Sequence, residues 1–192
     1  MTDAQAHRGP DAAGFWQDTS VALGHRRLSI IDLSPEANQP LASEDGTIQV
    51  VCNGEIYNYR ELCGELRVLG HRFRSSSDSE TLVHGYEQWG IEGLLTRLRG
   101  MFAFALYDQR RAVCYAARDR LGIKPLYYSQ DGNGVAFASE VKSLARGGFV
   151  TKTLDQTALT GFLLLGSVPH PRTIYRGVEC LEPAHYLAIA RG

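Results

Sequence analysis

Hydrophobic positions recur along this chain in two rhythms, one helical and one extended. In "NYRELCGELRVLG", residues 58–70, Leu62, Leu66 and Leu69 return at helical spacing and Gly70 marks a stop. Asn58 stands where an N-cap belongs, with Glu61 three residues on. "SETLVHGYEQWG" predicts a second helix with Leu82, Tyr86 and Trp89 as its stripe, and Ser77 with Glu80 reads as a capping box. "IEGLLTRLRG" predicts a third, with Ile91, Leu94, Leu95 and Leu98 on one face. Before these, "TIQVVCN" predicts a strand and "VALGHRRLSIID" extended backbone.

Strands dominate after residue 100. "MFAFALYD" and "AVCYAARD" flank the polar turn "QRR", and "PLYYS" and "GVAFASE" flank "QDGN". In "MFAFALY", Phe102, Phe104 and Leu106 face one way and Met101, Ala103, Ala105 and Tyr107 the other. A strand that is apolar on both faces requires cover on both. Antiparallel hairpins covered by helices give a layered α+β domain. A short helix, "DQTALTGFLLLG", and a tail, "TIYRGVECLEPAHYLAIA", follow the Gly-rich "ARGGFV". That stretch is the expected edge between a main domain, 1–150, and a trailing segment, 151–192.

Composition narrows the function classes. Twenty Lys+Arg against 21 Asp+Glu leave a net charge of -1, so no field favours nucleic acid or an anionic membrane. The longest apolar run, around "GFLLLG", is too short to span a bilayer, and the polar N-terminus has no signal-peptide core. A cytoplasmic location is expected. Cys52, Cys63, Cys114 and Cys180 form no C-x-x-C and read as buried, reduced thiols. Six histidines include no H-x-x-x-H pair, so no metal site is expected.

The candidate chemistry lies in "VVCNGEIYNY", residues 50–59. Asn53-Gly54 after a strand is a turn signal, because both residues tolerate positive φ. It is also a pair of neutral donors, the Asn53 side-chain amide and the Gly54 N–H, of the kind that stabilises an oxyanion in acyl transfer. Glu55 beside them suits a substrate ammonium group. Cys52, one residue before Asn53 on a strand, directs its side chain to the opposite face and reads as a core residue.

Seven stretches in order carry a resemblance: "HRGPD" at 7–11, "GHRRLSIIDL" at 24–33, "NGEIYNYREL" at 53–62, "SDSE" at 77–80, "RGMFAFALYD" at 99–108, "RDRLGIKPLYY" at 118–128 and "SEVKSL" at 139–144. Together they resemble the glutaminase half of glutamine-hydrolysing asparagine synthetases, a type-2 glutamine amidotransferase domain. The resemblance implies an N-terminal-nucleophile (Ntn) hydrolase fold, an αββα sandwich of antiparallel sheets, and L-glutamine as ligand. It implies that Arg27 grips the substrate carboxylate, that Leu28, Ile30 and Ile31 line the pocket, and that Asn53 and Gly54 form the oxyanion hole. Glu55 and Asp78 fall near the glutamine amino group. Each has an alternative: a surface arginine for Arg27, core packing for Leu28, Ile30 and Ile31, and a helix cap for Asp78. His7, Arg8, Asp119, Lys124, Glu140 and Lys142 also match and are assigned to ion pairing and loop shaping.

The chain departs from the resemblance at both ends. Family members begin with Cys-Gly-Ile several dozen residues before "HRGPD", and that cysteine is the nucleophile with its own α-amino group as base. The chain is therefore expected to be incomplete at the N-terminus and inactive alone. Thr2 is a poor substitute, because it aligns with a linker. No Ser-Gly-Gly-x-Asp-Ser loop occurs, so no cofactor is expected in this chain, and ATP and Mg belong to an absent synthetase domain. A synthetase domain or a homodimer partner is implied by the same resemblance. The expected function is release of ammonia from glutamine for asparagine synthesis. The alternatives are a non-catalytic glutamine-binding or interaction module, or the amidotransferase of a related pathway.

Overall fold

The computed structural model describes residues 1–132 and 134–190. After a 3-10 segment at Thr2–Arg8 come β1 (Ala12–Gln17), β2 (Ala22–Arg27), β3 (Leu41–Ala42), β4 (Ile48–Ile56), α1 (Tyr59–Val68) and α2 (Glu80–Arg97). There follow β5 (Gly100–Asp108), β6 (Val113–Arg118), β7 (Tyr127–Asp131), β8 (Gly134–Ala138), α3 (Val141–Arg146), α4 (Gln156–Leu165), β9 (Val178–Cys180) and β10 (Tyr186–Ala190). Asn133, the last residue of the "QDGN" turn, lies outside the described residues, as do 191 and 192.

The elements stack in four layers. A five-stranded antiparallel sheet runs β10-β6-β5-β4-β3. Its two faces are both buried, as the doubly apolar β5 requires. Phe102, Phe104 and Leu106 pack with Leu62, Leu82, Val83, Tyr86 and Leu94 of α1 and α2. On the other face Ala105 and Tyr107 meet Leu23, Trp16 and Phe137, and Ala103 meets Leu126 and Leu181. This second layer is split into a two-stranded sheet, β1-β2, and a three-stranded sheet, β8-β7-β9. Leu144 of α3 packs behind it on Ala138 and Val178. The α+β, antiparallel αββα arrangement expected from the sequence is present.

Several local expectations give way to tertiary contacts. The second and third helices form one element, broken at Gly90, whose φ of 67° and ψ of -178° are outside the helix region. Asn58 occupies the N-cap of α1 but its side chain does not cap. Its Nδ2 donates to Arg97 O at 3.0 Å and its Oδ1 accepts from Arg99 N–H at 2.9 Å, which ties α1 to the end of α2. The Ser77–Glu80 capping box is not formed. The Glu80 carboxylate instead accepts from Arg74 N–H, Ser75 N–H and the Ser75 hydroxyl. Extended backbone in "VALGHRRLSIID" stops at Arg27. Beyond 150, β9 pairs with Tyr127 to Ser129 and β10 with Val113 to Ala117, so residues after the Gly-rich stretch complete the three-stranded and five-stranded sheets.

Buried polar groups fix the loops. Asp119, 1% exposed, accepts backbone N–H groups from Phe102, Leu121, Ile123 and Lys124. Arg118 beside it donates to Lys124 O, Leu181 O and Gly122 O. Glu140 gathers His7, Arg8 and Lys142, fastening the N-terminal 3-10 segment to the start of α3. Among the described residues, no helix is long and apolar enough to cross a membrane.

Candidate active site

The site is built on the unpaired end of β4. β3 pairs only with Gln49 and Val50, so beyond Val50 the outward backbone groups of β4 meet side chains in place of a strand. Cys52 N–H donates to Gln39 Oε1 at 2.6 Å, and Cys52 O accepts from His25 Nε2 at 3.0 Å. Ile56 N–H donates to Asp78 Oδ2 at 2.7 Å. Gly54 lies midway between them. Its cross-strand neighbour Phe102 spends its own N–H and carbonyl on Asp119, on the side away from β4. The Gly54 N–H therefore points to the open edge, and among the described residues no partner takes it.

Only glycine fits at position 54. Its φ is 152°, and a Cβ there would lie 2.1 Å from Met101 O and 2.6 Å from Phe102 Cα. One residue back, strand alternation separates two side chains. Cys52 sits in the core beneath α1 and α2, while Asn53 faces the second layer, where its Nδ2 lies 3.4 Å from Ser139 Oγ. The Asn53 amide and the Gly54 N–H are thus adjacent donors at one rim.

A cleft of about 360 Å³ opens there, lined by Arg27, Leu28, Ile30, Ile31, Asn53, Gly54, Glu55 and Asp78. Arg27 is 8% exposed, so it is not a surface arginine. Its Nη1 donates to Ser34 O at 2.9 Å and Asn38 Oδ1 at 2.8 Å, and its Nη2 to Asp32 O. The loop after β2 is wrapped around this guanidinium, which fixes its plane. Leu28 and Ile30 are 55% and 73% exposed and form a rim rather than a core. No side-chain cap forms at the start of α2, and the Asp78 carboxylate holds the Ile56 N–H.

The cleft also sets charge states. Burial raises the Asp78 pKa, with nearby Glu55 acting in the same direction, against the hydrogen bond from Ile56 N–H. Burial pushes His25 down to about 4, and Arg27 adds to the effect, so its imidazole is neutral at physiological pH. Arg26, His25 and Gln39 carry no role in the sequence reading, yet all three line this cleft. The adjacent polar residues of "GHRRL" on an otherwise apolar strand are the signal that points to His25 and Arg26. Gln39 has none, because it arrives from a loop.

A second, longer cavity of about 1210 Å³ runs between β2 and β8, over the inner face of β4, β5 and β6. It shares Arg8, His25, Arg26, Cys52 and Asn53 with the cleft. Thr2 lines the long cavity and lies against Gly24, not in the cleft. The four thiols are free, and the side chain of Cys52, next to the donor pair in sequence, packs into the core under α1 and α2. Cys114 lines the long cavity, but it is two strands across and four residues along from Asn53, roughly 17 Å by sheet spacing. Burial pushes its pKa up to about 12, that of Cys63 up to about 11, and that of Cys52 higher still.

A family model of the glutamine amidotransferase domain matches residues 1–192. The chain is 38% identical over 194 residues to asparagine synthetase (glutamine-hydrolyzing) 3 of Bacillus subtilis, covering 100% of this chain and 31% of the relative. It is 42% identical over 192 residues to asparagine synthetase (glutamine-hydrolyzing) 1 of the same organism, covering 98% and 29%. Amidase chry2 of Gibberella zeae is 41% identical over 187 residues, covering 96% and 27%. The chain therefore spans about three-tenths of the length of these curated relatives. Among solved structures it resembles a glutamine phosphoribosylpyrophosphate amidotransferase from B. subtilis complexed with ADP and GMP. The TM-score is 0.57 at 25% identity, over 71% of this chain and 31% of that one. A structure described as the allosteric regulatory enzyme of purine biosynthesis gives a TM-score of 0.57 at 26% identity, over 66% and 29%.

Proposed function

The chain belongs to the glutamine amidotransferase domain family, and on that premise we propose that it binds L-glutamine and serves ammonia release for an asparagine-synthetase-type enzyme. Glutamine carries three recognisable groups: an α-carboxylate, an α-ammonium and a side-chain amide. The fixed Arg27 guanidinium takes the carboxylate. Asp78 and Glu55 face the ammonium, and the rim of Leu28, Ile30 and Ile31 covers the methylenes. The amide carbonyl meets Asn53 Nδ2 and the Gly54 N–H.

The attacking group follows the family resemblance: an N-terminal cysteine thiol with its own amine as base. We place that thiol on an extended segment lying in the long cavity between β2 and β8, which meets the cleft at Asn53. Attack on the amide carbon builds an oxyanion against the two donors, ammonia leaves, and water releases glutamate from the thioester. A synthetase domain with ATP and Mg then consumes the ammonia, with aspartate as the acceptor. The observation that carries this reading is the Gly54 N–H, untaken among the described residues, at the open edge of β4, beside the Asn53 amide and in one cleft with Arg27 and Asp78.

Calorimetric titration with L-glutamine and an ammonia-release assay test it, on this chain and on a form extended to begin with Cys-Gly. Glutamine binding by both, abolished by R27A, with ammonia only from the extended form, is expected. Binding without ammonia from either form would identify a non-catalytic glutamine-binding module. No binding by either would reject the reading.

A further inference from the structure

The sequence contains no H-x-x-x-H pair, yet the fold brings two histidines and a glutamate together away from the cleft. His84 and Glu87 sit three apart on α2 and share a face. His71 reaches them from the turn that follows α1. The His71 and His84 rings stand 5.2 Å apart, and one ligand atom from each of His71, His84 and Glu87 lies within 4.8 Å of the others.

One Glu87 carboxylate oxygen stands close to a ring nitrogen of each histidine. Glu87 Oε2 lies 3.2 Å from His84 Nδ1 and 3.7 Å from His71 Nδ1. Tetrahedral zinc with bonds near 2.0–2.1 Å needs ligand atoms about 3.3 Å apart, and these two separations bracket that figure. On the far side of each ring stands an oxygen, hydrogen-bonded at His71 and only in ion-pair range at His84. Gln88 Oε1 lies 3.2 Å from His71 Nε2, and Glu80 Oε1 3.5 Å from His84 Nε2. With the proton on each Nε2, both Nδ1 lone pairs face Glu87, and the Gln88 contact gives His71 the outer partner that orients a metal-bound imidazole. Glu80 is itself immobilised by Arg74 N–H, Ser75 N–H and the Ser75 hydroxyl. The His84 side chain is 1% exposed and that of Glu87 22%, so the cluster has a rigid floor and an open mouth.

We propose that His71, His84 and Glu87 form a binding site for a borderline divalent cation of the zinc class, with a water completing the coordination. Bound there, the ion ties the turn after α1 to α2 and stiffens the segment that leads into Asp78. In the metal-free protein a proton on His84, held between Glu80 and Glu87, is the competing occupant.

Titration of the intact chain with Zn2+ by calorimetry, and with Co2+ by visible absorption, separates the two. The expected result is one saturable site, tetrahedral Co2+ bands, and a rise in the melting temperature with added zinc. H71N and E87Q change partly exposed residues and keep the fold; each is expected to weaken binding at least tenfold and remove the bands, while H185N does neither. No saturable binding, or binding that survives both H71N and E87Q, would overturn the proposal.

Discussion

The Asp78 carboxylate accepts the Ile56 N–H at 2.7 Å, joining the acid that precedes α2 to the last residue of β4. The bond closes the open edge one step beyond Gly54 and holds Asp78 in the cleft. Replacing Asp78 by Ala leaves a buried N–H without an acceptor, at a cost of about 1–3 kcal/mol. Asp78→Asn keeps an acceptor oxygen, so it retains most of the stability while losing the charge offered to an ammonium. Urea unfolding and glutamine titration of the two variants are expected to part in this way. Equal stability for both would show that the bond does not hold the edge.

The two members of the donor pair differ in what they carry besides chemistry. Asn53 has one long contact, to Ser139 Oγ at 3.4 Å, so Asn53→Ala is expected to change stability by less than about 1 kcal/mol. In a form supplied with the attacking thiol it lowers ammonia release by about 10²–10³-fold. Gly54→Ala meets both a φ of 152° and the Met101 carbonyl, and costs at least about 2 kcal/mol in folding as well. Thermal melts beside turnover assays distinguish the two effects.

Gly90 interrupts α2 with φ 67° and ψ -178°, a backbone region reserved for glycine. A Cβ there meets no atom within 4 Å, so the cost of Gly90→Ala is conformational alone. We expect about 1–3 kcal/mol of destabilisation with glutamine affinity unchanged, read from urea midpoints and calorimetry.

Asp119 gives a pH dependence with a definite sign. Burial opposes its charge, but hydrogen bonds from Lys124, Ile123, Leu121 and Phe102 N–H outweigh that and lower its pKa below the usual carboxylate value. A depressed folded pKa contributes stability that is present above the unfolded value near 3.8 and is lost as pH falls through the folded one. Asp119→Asn is expected to flatten acid unfolding below about pH 4 relative to the parent chain, in stability curves taken at stepped pH. Parallel curves would contradict the assignment.

The thiols are ranked by burial. Cys63 on α1 is the one that is not buried, and Cys52, Cys114 and Cys180 are enclosed. Alkylation of the folded chain at mildly alkaline pH is expected to label Cys63 first, by peptide mass mapping. Cys52→Ala is expected to leave glutamine affinity within twofold of the parent, since its side chain is buried in the core with α1 and α2.

Much of this was legible in the chain. The two-faced pattern of "MFAFALY" foretold a central strand covered on both sides, and alternation in "VVCNGE" separated Cys52 from Asn53. Caps were misread where a side chain had a better partner far away: Asn58 bridges to Arg97 and Arg99, and Glu80 reaches back to Ser75. Local rules rank local partners only. β1 and β10 escaped notice because their exposure alternates while their sequences, AAGFWQ and YLAIA, do not alternate apolar with polar residues. Gln39 and His71 are matters of three-dimensional convergence, for which neither spacing nor composition offers a cue.

The last strand among the described residues, β10, lies at the outer border of the principal sheet against β6, and β9 closes the smaller one against β7. During synthesis at about 5–20 residues per second, β6 waits seconds for its neighbour to be made. Until β9 and β10 have been made, the nascent domain carries two unzipped borders. The order of synthesis therefore places closure of the five-stranded and three-stranded sheets after residues 178–190 have been made.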